Sequence, residues 1–279
     1  MREVDVNLVT EKIKDMCISI NHKLSPDVEK KILDAGKEET SEQGKKVLGI
    51  LAENIEIAER EMIPICQDTG MAVVFMEVGQ DVHFTGGSIN DAINEGVRRG
   101  YKEGYLRKSV VKDPLDRVNT KDNTPAVVHY SIVDGDKVKI TLAPKGFGSE
   151  NMSRVFMLKP ADGVEGVKNS VVQAVKDAGP NACPPMFVGV GIGGTFEKSA
   201  LLAKKALAES SKEGKEERIL KLEEEILEQI NKTDIGPAGL GGNKTALAVN
   251  ILTYPTHIAG LPLAVNICCH VNRHITEII

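Results

Sequence analysis

A chain of 279 residues with 41% hydrophobic and 27% charged residues has the make-up of an ordinary globular protein. Its net charge of -5, with acids and bases interspersed, offers no basic face for nucleic acid, and no apolar run approaches the roughly 18 residues of a membrane span. The start, Met1 to Val9, lacks the basic-then-apolar layout of a signal peptide, so the expected location is cytoplasmic; five cysteines at mostly wide spacing then suggest metal binding, catalysis or burial rather than a disulfide framework.

In chain order, the first 62 residues read as helical. Val6 to Ile20 carries an apolar stripe, Ser25-Pro26-Asp27 opens a second helix, and Gly44 to Met62 repeats apolar residues at helical spacing. After Pro64 the texture changes: Met71 to Val78 is rich in apolar and branched residues, like a buried strand, and Gly86-Gly87-Ser88 opens a helix running to about Tyr101. Ala126 to Val133 and Lys137 to Leu142 flank Asp134-Gly135-Asp136, which predicts an antiparallel hairpin. A glycine-bearing loop, Lys145 to Ser149, follows. Next come a helix over Val164 to Asp177, a strand over Met186 to Ile192, and helices over Lys198 to Glu209 and Lys215 to Asn231, the last so charged that it reads as a solvated surface helix. Strands over Thr245 to Leu252 and Leu261 to Cys268 close the pattern. The expected fold class is α+β (mixed α/β): a helical N-terminal region over 1–62 and an α/β core over 63–279, in one domain.

Three cysteines stand where secondary structure breaks: Cys66 after Pro64, Cys183 before Pro184-Pro185, and Cys269 after the last apolar run. Loops commonly present functional groups, although any single cysteine is more often a small buried hydrophobe. Cys17, within a helical stripe, and Cys268, continuing a strand, fit that bland reading. Around Cys66, Gln67 and Asp68 add an amide and a carboxylate ahead of Thr69-Gly70; an Asp-Thr-Gly turn in which Asp68 bonds its own backbone is the competing interpretation. Gly189, Gly191 and Gly194 spell the dinucleotide fingerprint G-x-G-x-x-G, yet no acidic residue closes a following strand about 20 residues on, because helix continues there. These glycines are read as letting strand and helix approach a bound group.

The segments Cys66 to Gly70, Lys145 to Asn151, Asn181 to Pro185, Ile235 to Gly242 and Tyr254 to Pro262 resemble, in order, the N-terminal part of class I fumarases. That family of iron-sulfur hydro-lyases includes the L(+)-tartrate dehydratase alpha subunit. The resemblance spans nearly the whole chain, and it implies a [4Fe-4S] cluster with one iron not ligated by cysteine. Cys66 and Cys183 match two ligand positions. The family's cysteine four residues before an arginine selects Cys269, with Arg273 following, over Cys268. An unfilled iron suits Lewis-acid chemistry rather than electron transfer.

The implied reaction is reversible hydration of fumarate to (S)-malate, a step of the tricarboxylic acid cycle, on a small dicarboxylic acid. Asp68 matches the family's aspartate, which works in proton transfer with a threonine of another domain. Arg107 resembles the arginine that grips a substrate carboxylate. Gln67, Gly146, Gly148 and His257 resemble substrate-contacting positions, with a hydrogen-bonded structural histidine as the alternative for His257. Because the chain stops at Ile279, the second domain is expected on a separate beta subunit, in an α2β2 heterotetramer. Cys268-Cys269-His270 departs from serine-bearing forms and places a second thiol beside the ligand. Tartrate dehydratase or mesaconate hydratase alpha subunits are the alternatives within the class. An iron-sulfur sensor and an NAD-binding oxidoreductase are those outside it.

Overall fold

The computed structural model describes residues 1–209 and 211–279 and has a mixed α+β architecture. In chain order its elements are β1 (Arg2–Asp5), α1 (Val6–His22), α2 (Pro26–Glu38), α3 (Glu42–Glu61), β2 (Met71–Gly79), β3 (Val82–Thr85), α4 (Ile89–Glu103), β4 (Val127–Val133), β5 (Val138–Lys145), α5 (Phe147–Glu150), β6 (Arg154–Leu158), α6 (Gly163–Ala178), β7 (Met186–Gly193), α7 (Phe196–Ala206), α8 (Glu217–Asn231), β8 (Ala246–Tyr254), β9 (Leu261–Cys268) and β10 (Ile275–Ile278). Among the described residues no helix is long and apolar enough to cross a membrane. The chain forms two units, the first from Met1–Ser25, Ile55–Phe147 and Arg273–Ile279, the second from Pro26–Asn54 and Gly148–Asn272.

The first unit is built on a sheet of order β10-β5-β2-β4. Strand β2 is apolar on both sides: Ala72, Val74 and Met76 point into a core with Ile13, Met16 and Cys17 of α1 and Ile93, Val97 and Tyr101 of α4. The two helices pack very closely, because a Cβ on Gly96 would stand 2.7 Å from the Thr10 carbonyl oxygen and one on Gly100 2.6 Å from the Cys17 Cβ. Ser88 caps α4 by accepting a hydrogen bond from Asp91 N–H.

The predicted hairpin is corrected here. Strands β4 and β5 do not pair with each other; β2 lies between them, parallel to β4 and antiparallel to β5. The Asp134-Gly135-Asp136 turn instead wraps the end of β2, with Gly79 N–H donating to Lys137 O at 2.8 Å and Asp81 N–H to Gly135 O at 3.0 Å. A strand apolar on both faces belongs in the interior of a sheet, and splitting the hairpin gives β2 a partner on each edge. The N-terminal region also begins with a short strand, β1, paired in parallel with β3. Short strands β1, β3, β6 and β10 had no reading in the sequence.

In the second unit the sheet order is β6-β9-β7-β8, with β7 parallel to β8 and antiparallel to β9. Strand β7 alternates two kinds of residue. Val188 and Val190 join a core with Val171 and Val175 of α6 and Ile226 and Ile230 of α8, so one face of α8 is core rather than solvated, contrary to its charged appearance. Gly189 and Gly191 face α7, where a Cβ would stand 2.1 Å from the carbonyl oxygens of Ala203 and Ser199 respectively. Gly189 and Gly191 therefore admit the backbone of α7, which is reason enough for glycine at both positions. Because a carbonyl in a packed helix cannot step aside cheaply, Gly191→Ala is expected to cost about 1–3 kcal/mol or more and lower the melting temperature by on the order of 5 °C, measurable by thermal denaturation. An unchanged melting temperature would contradict this account of the packing.

Candidate active site

Strand pairing brings together two motifs that lie far apart in the first unit's sequence. The register Met71↔Lys145 and Ala72↔Pro144 sets the Cys66 to Gly70 loop, at the entrance to β2, beside Lys145 to Phe147, at the exit of β5. Gly70 has φ +78°, and a Cβ there would lie 2.8 Å from the Lys145 nitrogen, so both the turn and the close approach require glycine.

Asp68 uses both carboxylate oxygens at this junction: Oδ1 accepts from Gly70 N–H at 3.0 Å and Oδ2 from Phe147 N–H at 2.9 Å. The local turn anticipated for Asp68 is thus real, and the same side chain also reaches the second motif. A Cβ on Gly146 would crowd Asp68 Oδ2 at 3.1 Å. Arg273, 3% exposed, donates from Nη2 to the Asp68 carbonyl at 2.8 Å and from Nη1 to Asn21 Oδ1 at 2.7 Å. It therefore fastens the loop through main chain and a neutral amide.

Arg107 stands on the loop after α4 with its side chain exposed, and its carbonyl accepts from Thr69 Oγ1 at 3.0 Å. Below them the buried Tyr101 hydroxyl donates to the carbonyls of Thr69, at 2.7 Å, and Gly70, at 3.0 Å, while burial pushes its phenol upward from the usual range. Gln67 is exposed and Cys66 half-buried on the same loop. The first unit thus gathers Gln67, Asp68, Arg107, Gly146 and Arg273 around one loop.

Three other motif segments meet in the second unit. Cys183 follows a tight turn in left-handed conformation, φ 52° and ψ 63°, with its side chain exposed. Its carbonyl lies 3.2 Å from Nδ1 of His270, the residue after Cys269, so the ring acts as donor when that nitrogen carries the proton. Ala238 N–H donates to the Pro184 carbonyl at 2.9 Å, bringing the Ile235 to Gly242 loop to the same place. Gly148 opens onto this region, 4.0 Å separating the Asn181 carbonyl oxygen from the position of a Cβ. His257 lies elsewhere, exposed on the turn between β8 and β9, where its Nδ1 accepts from Ala259 N–H at 3.2 Å. That contact matches the structural alternative for this histidine.

The thiols divide by environment. Cys17 and Cys268 are buried, and burial pushes the Cys17 thiol far up, away from the thiolate a metal needs. Cys66, Cys183 and Cys269 are the more accessible three, each on a loop, which fits soft donors for an iron-sulfur group. Cys66 belongs to the first unit and the other two to the second. Among the described residues, neither unit by itself gathers a trio of His, Cys, Asp or Glu side chains at metal-binding distance.

Several supporting residues gave no signal in the sequence. Glu39, 2% exposed, accepts from the main-chain N–H groups of Thr40, Ser41 and Asn243 on Oε1, at 2.7, 2.8 and 3.0 Å, and of Lys244 on Oε2 at 3.0 Å. It pins the end of the glycine-rich loop, where a Cβ on Gly242 would meet its oxygen at 2.7 Å. Asn21 and Asn123 are likewise buried amides. The one local sign was an acidic residue followed by Thr-Ser at Glu39, a pattern common in turns.

Comparison with known proteins gives a consistent picture. The family model described as "Fumarate hydratase (Fumerase)" matches residues 10–277. A Methanocaldococcus jannaschii protein, provisionally named L(+)-tartrate dehydratase subunit alpha, is 40% identical over 94% of this chain and 95% of its own. The L(+)-tartrate dehydratase subunits alpha of Escherichia coli O157:H7 and K12 are each 30% identical over 98% of this chain and 91% of theirs.

Proposed function

Since the chain belongs to the fumarate hydratase (Fumerase) family, we propose that it is the alpha subunit of an iron-sulfur hydro-lyase that hydrates fumarate to (S)-malate. The observation that carries the reading is the hydrogen bond from Thr69 Oγ1 to the Arg107 carbonyl, which ties the loop bearing Asp68, its carboxylate fixed by two main-chain N–H groups, to the loop bearing the exposed Arg107; a carboxylate and a cation on joined loops suit proton transfer on a small dicarboxylate.

Cys66, Cys183 and Cys269, the three more accessible thiols, would hold the cluster. When bound, a [4Fe-4S] group with three thiolate ligands supplies Lewis-acid chemistry at its fourth iron. Arg107 grips one substrate carboxylate with paired N–H donors and fixes the acid's orientation. Gln67, exposed on the same loop, offers an amide donor and acceptor to a second polar group. Asp68, its oxygens aimed by two main-chain N–H groups, exchanges the proton at the carbon adjacent to the one bearing hydroxyl. A beta subunit supplies the remaining groups, including the threonine, in an α2β2 assembly; the relatives' own names call them alpha subunits.

Dehydration of L(+)-tartrate is the second reading, favoured by the names of the same relatives. Fumarate and tartrate differ by hydroxyl groups, and groups placed to hydrogen-bond those hydroxyls decide between them. Anaerobic co-expression with the candidate beta subunit, followed by assays on fumarate, tartrate and mesaconate, tests both: turnover of fumarate supports the first reading, turnover of tartrate alone replaces it with the second, and turnover of none rejects the hydro-lyase. Arg107→Ala should raise KM roughly 10- to 100-fold with a smaller change in kcat, since a charge-assisted pair is lost from binding. Steady-state kinetics with an unchanged KM would remove Arg107 from the substrate site.

A further inference from the structure

Between α4 and β4 the chain runs through more than twenty residues with no regular element beyond one isolated bridge, Val111↔Asn119. The loop carries Arg107 near its start, yet it closes over a side chain that is wholly inaccessible. Asn123 is 0% exposed and has φ 64°, a left-handed conformation that asparagine tolerates better than most residues. An amide sealed from water in a loop is costly unless both its ends are bonded. Here both are: Oδ1 accepts from Ser109 N–H at 2.7 Å, and Nδ2 donates to the Gly70 carbonyl at 3.1 Å.

Those two contacts join different loops. Ser109 is two residues beyond Arg107, and Gly70 is two beyond Asp68. A parallel tie, Thr69 Oγ1 to the Arg107 carbonyl at 3.0 Å, closes the connection on the other side. Resting on the reading that Arg107 and Asp68 serve one dicarboxylate, we propose that Asn123 is a positioning residue: its amide fixes the offset between the carboxylate-gripping arginine and the proton-transferring aspartate. It touches neither substrate nor cluster. Its effect on the reaction passes through Arg107, and this separates the role from ordinary loop stability, which would act equally whether or not Arg107 is present.

The test is a double-mutant cycle in the αβ assembly, with Asn123→Asp and Arg107→Ala and KM for the dicarboxylate as the readout. Asn123→Asp keeps the Ser109 contact and turns the Nδ2 donor into an oxygen facing the Gly70 carbonyl. Asn123→Ser withdraws the amide without adding charge and serves if the first variant fails to fold. The expected result is a KM increase of about tenfold in the otherwise wild-type protein and less than about twofold in the Arg107→Ala background, with the Ser109 amide exchanging its hydrogen faster in Asn123→Ser, which withdraws its acceptor. Equal factors in the two backgrounds, or an unchanged KM, would overturn the proposal while leaving the hydro-lyase intact. Absence of dicarboxylate turnover by the wild-type assembly would remove the functional reading and this inference with it.

Discussion

Asp68→Asn should reduce turnover by about 10²- to 10⁴-fold, the usual contribution of a positioned general acid or base, while leaving iron content and melting temperature close to those of the unaltered protein. The expectation of a loss confined to chemistry comes from how the loop is fastened. Most of its ties do not involve the carboxylate: Arg273 holds the Asp68 carbonyl, Tyr101 holds the carbonyls of Thr69 and Gly70, and Thr69 reaches the Arg107 carbonyl. An asparagine keeps one acceptor oxygen for either Gly70 N–H or Phe147 N–H and turns an NH₂ toward the other. The lost hydrogen bond is modest beside the network that remains. Anaerobic hydration kinetics, read against iron analysis on the same sample, separate the two effects. Near-normal turnover in the asparagine variant would falsify the proton-transfer assignment.

The other large effect concerns the thiols. Cys66→Ser, Cys183→Ser and Cys269→Ser should each remove cluster-dependent activity and most of the bound iron, because a serine oxygen is a poor substitute for a thiolate at an iron-sulfur site. Cys268→Ser should retain most of both. The two neighbours differ in setting: Cys268 ends β9, pairs with Phe187 across the sheet and is buried, whereas Cys269 is the first residue past the strand and half-buried. Cys268 is held inside the sheet while Cys269 stands beyond its end, so the two thiols differ in their access to a metal. Iron content and the visible spectrum after anaerobic reconstitution give the answer independently of turnover. Should Cys268→Ser lose the cluster and Cys269→Ser keep it, the ligand set must be redrawn.

Helices and long strands were legible wherever one periodicity dominated. The α1 stripe from Val6 to Ile20, the Ser88 cap and the unbroken apolar run of β2 each encode their own conformation. Pairing was less legible. A turn around Gly135 shows that two strands reverse direction, but it does not show that a third strand enters between them; that depends on the demand of β2 for two partners. Alternating valine and glycine in β7 likewise announced a close approach without naming what approaches, which proved to be α7.

For the candidate site, the glycine-bearing loops and the Cys-Gln-Asp triplet were visible because their chemistry is local. Asn21, Asn123 and Glu39 were not, since an amide or carboxylate acquires a structural role only when folding removes it from water and supplies partners far away in sequence. The charged face of α8 misled for a related reason. Charge along a helix describes its wet side and says little about Ile226 and Ile230 on the other.

The first unit depends on the last seven residues of the chain, Arg273–Ile279. Strand β10 pairs with β5, and Ile279 exchanges main-chain hydrogen bonds with Val138 at 2.8 and 3.0 Å. On the ribosome, a nascent chain delivered as far as Asn272 already contains every residue of the second unit, while β5 still has a bare edge and the Asp68 loop has no arginine to fasten it. The first unit thus cannot close its sheet or fasten that loop until Arg273–Ile279 have emerged, well after β2 and β5 themselves.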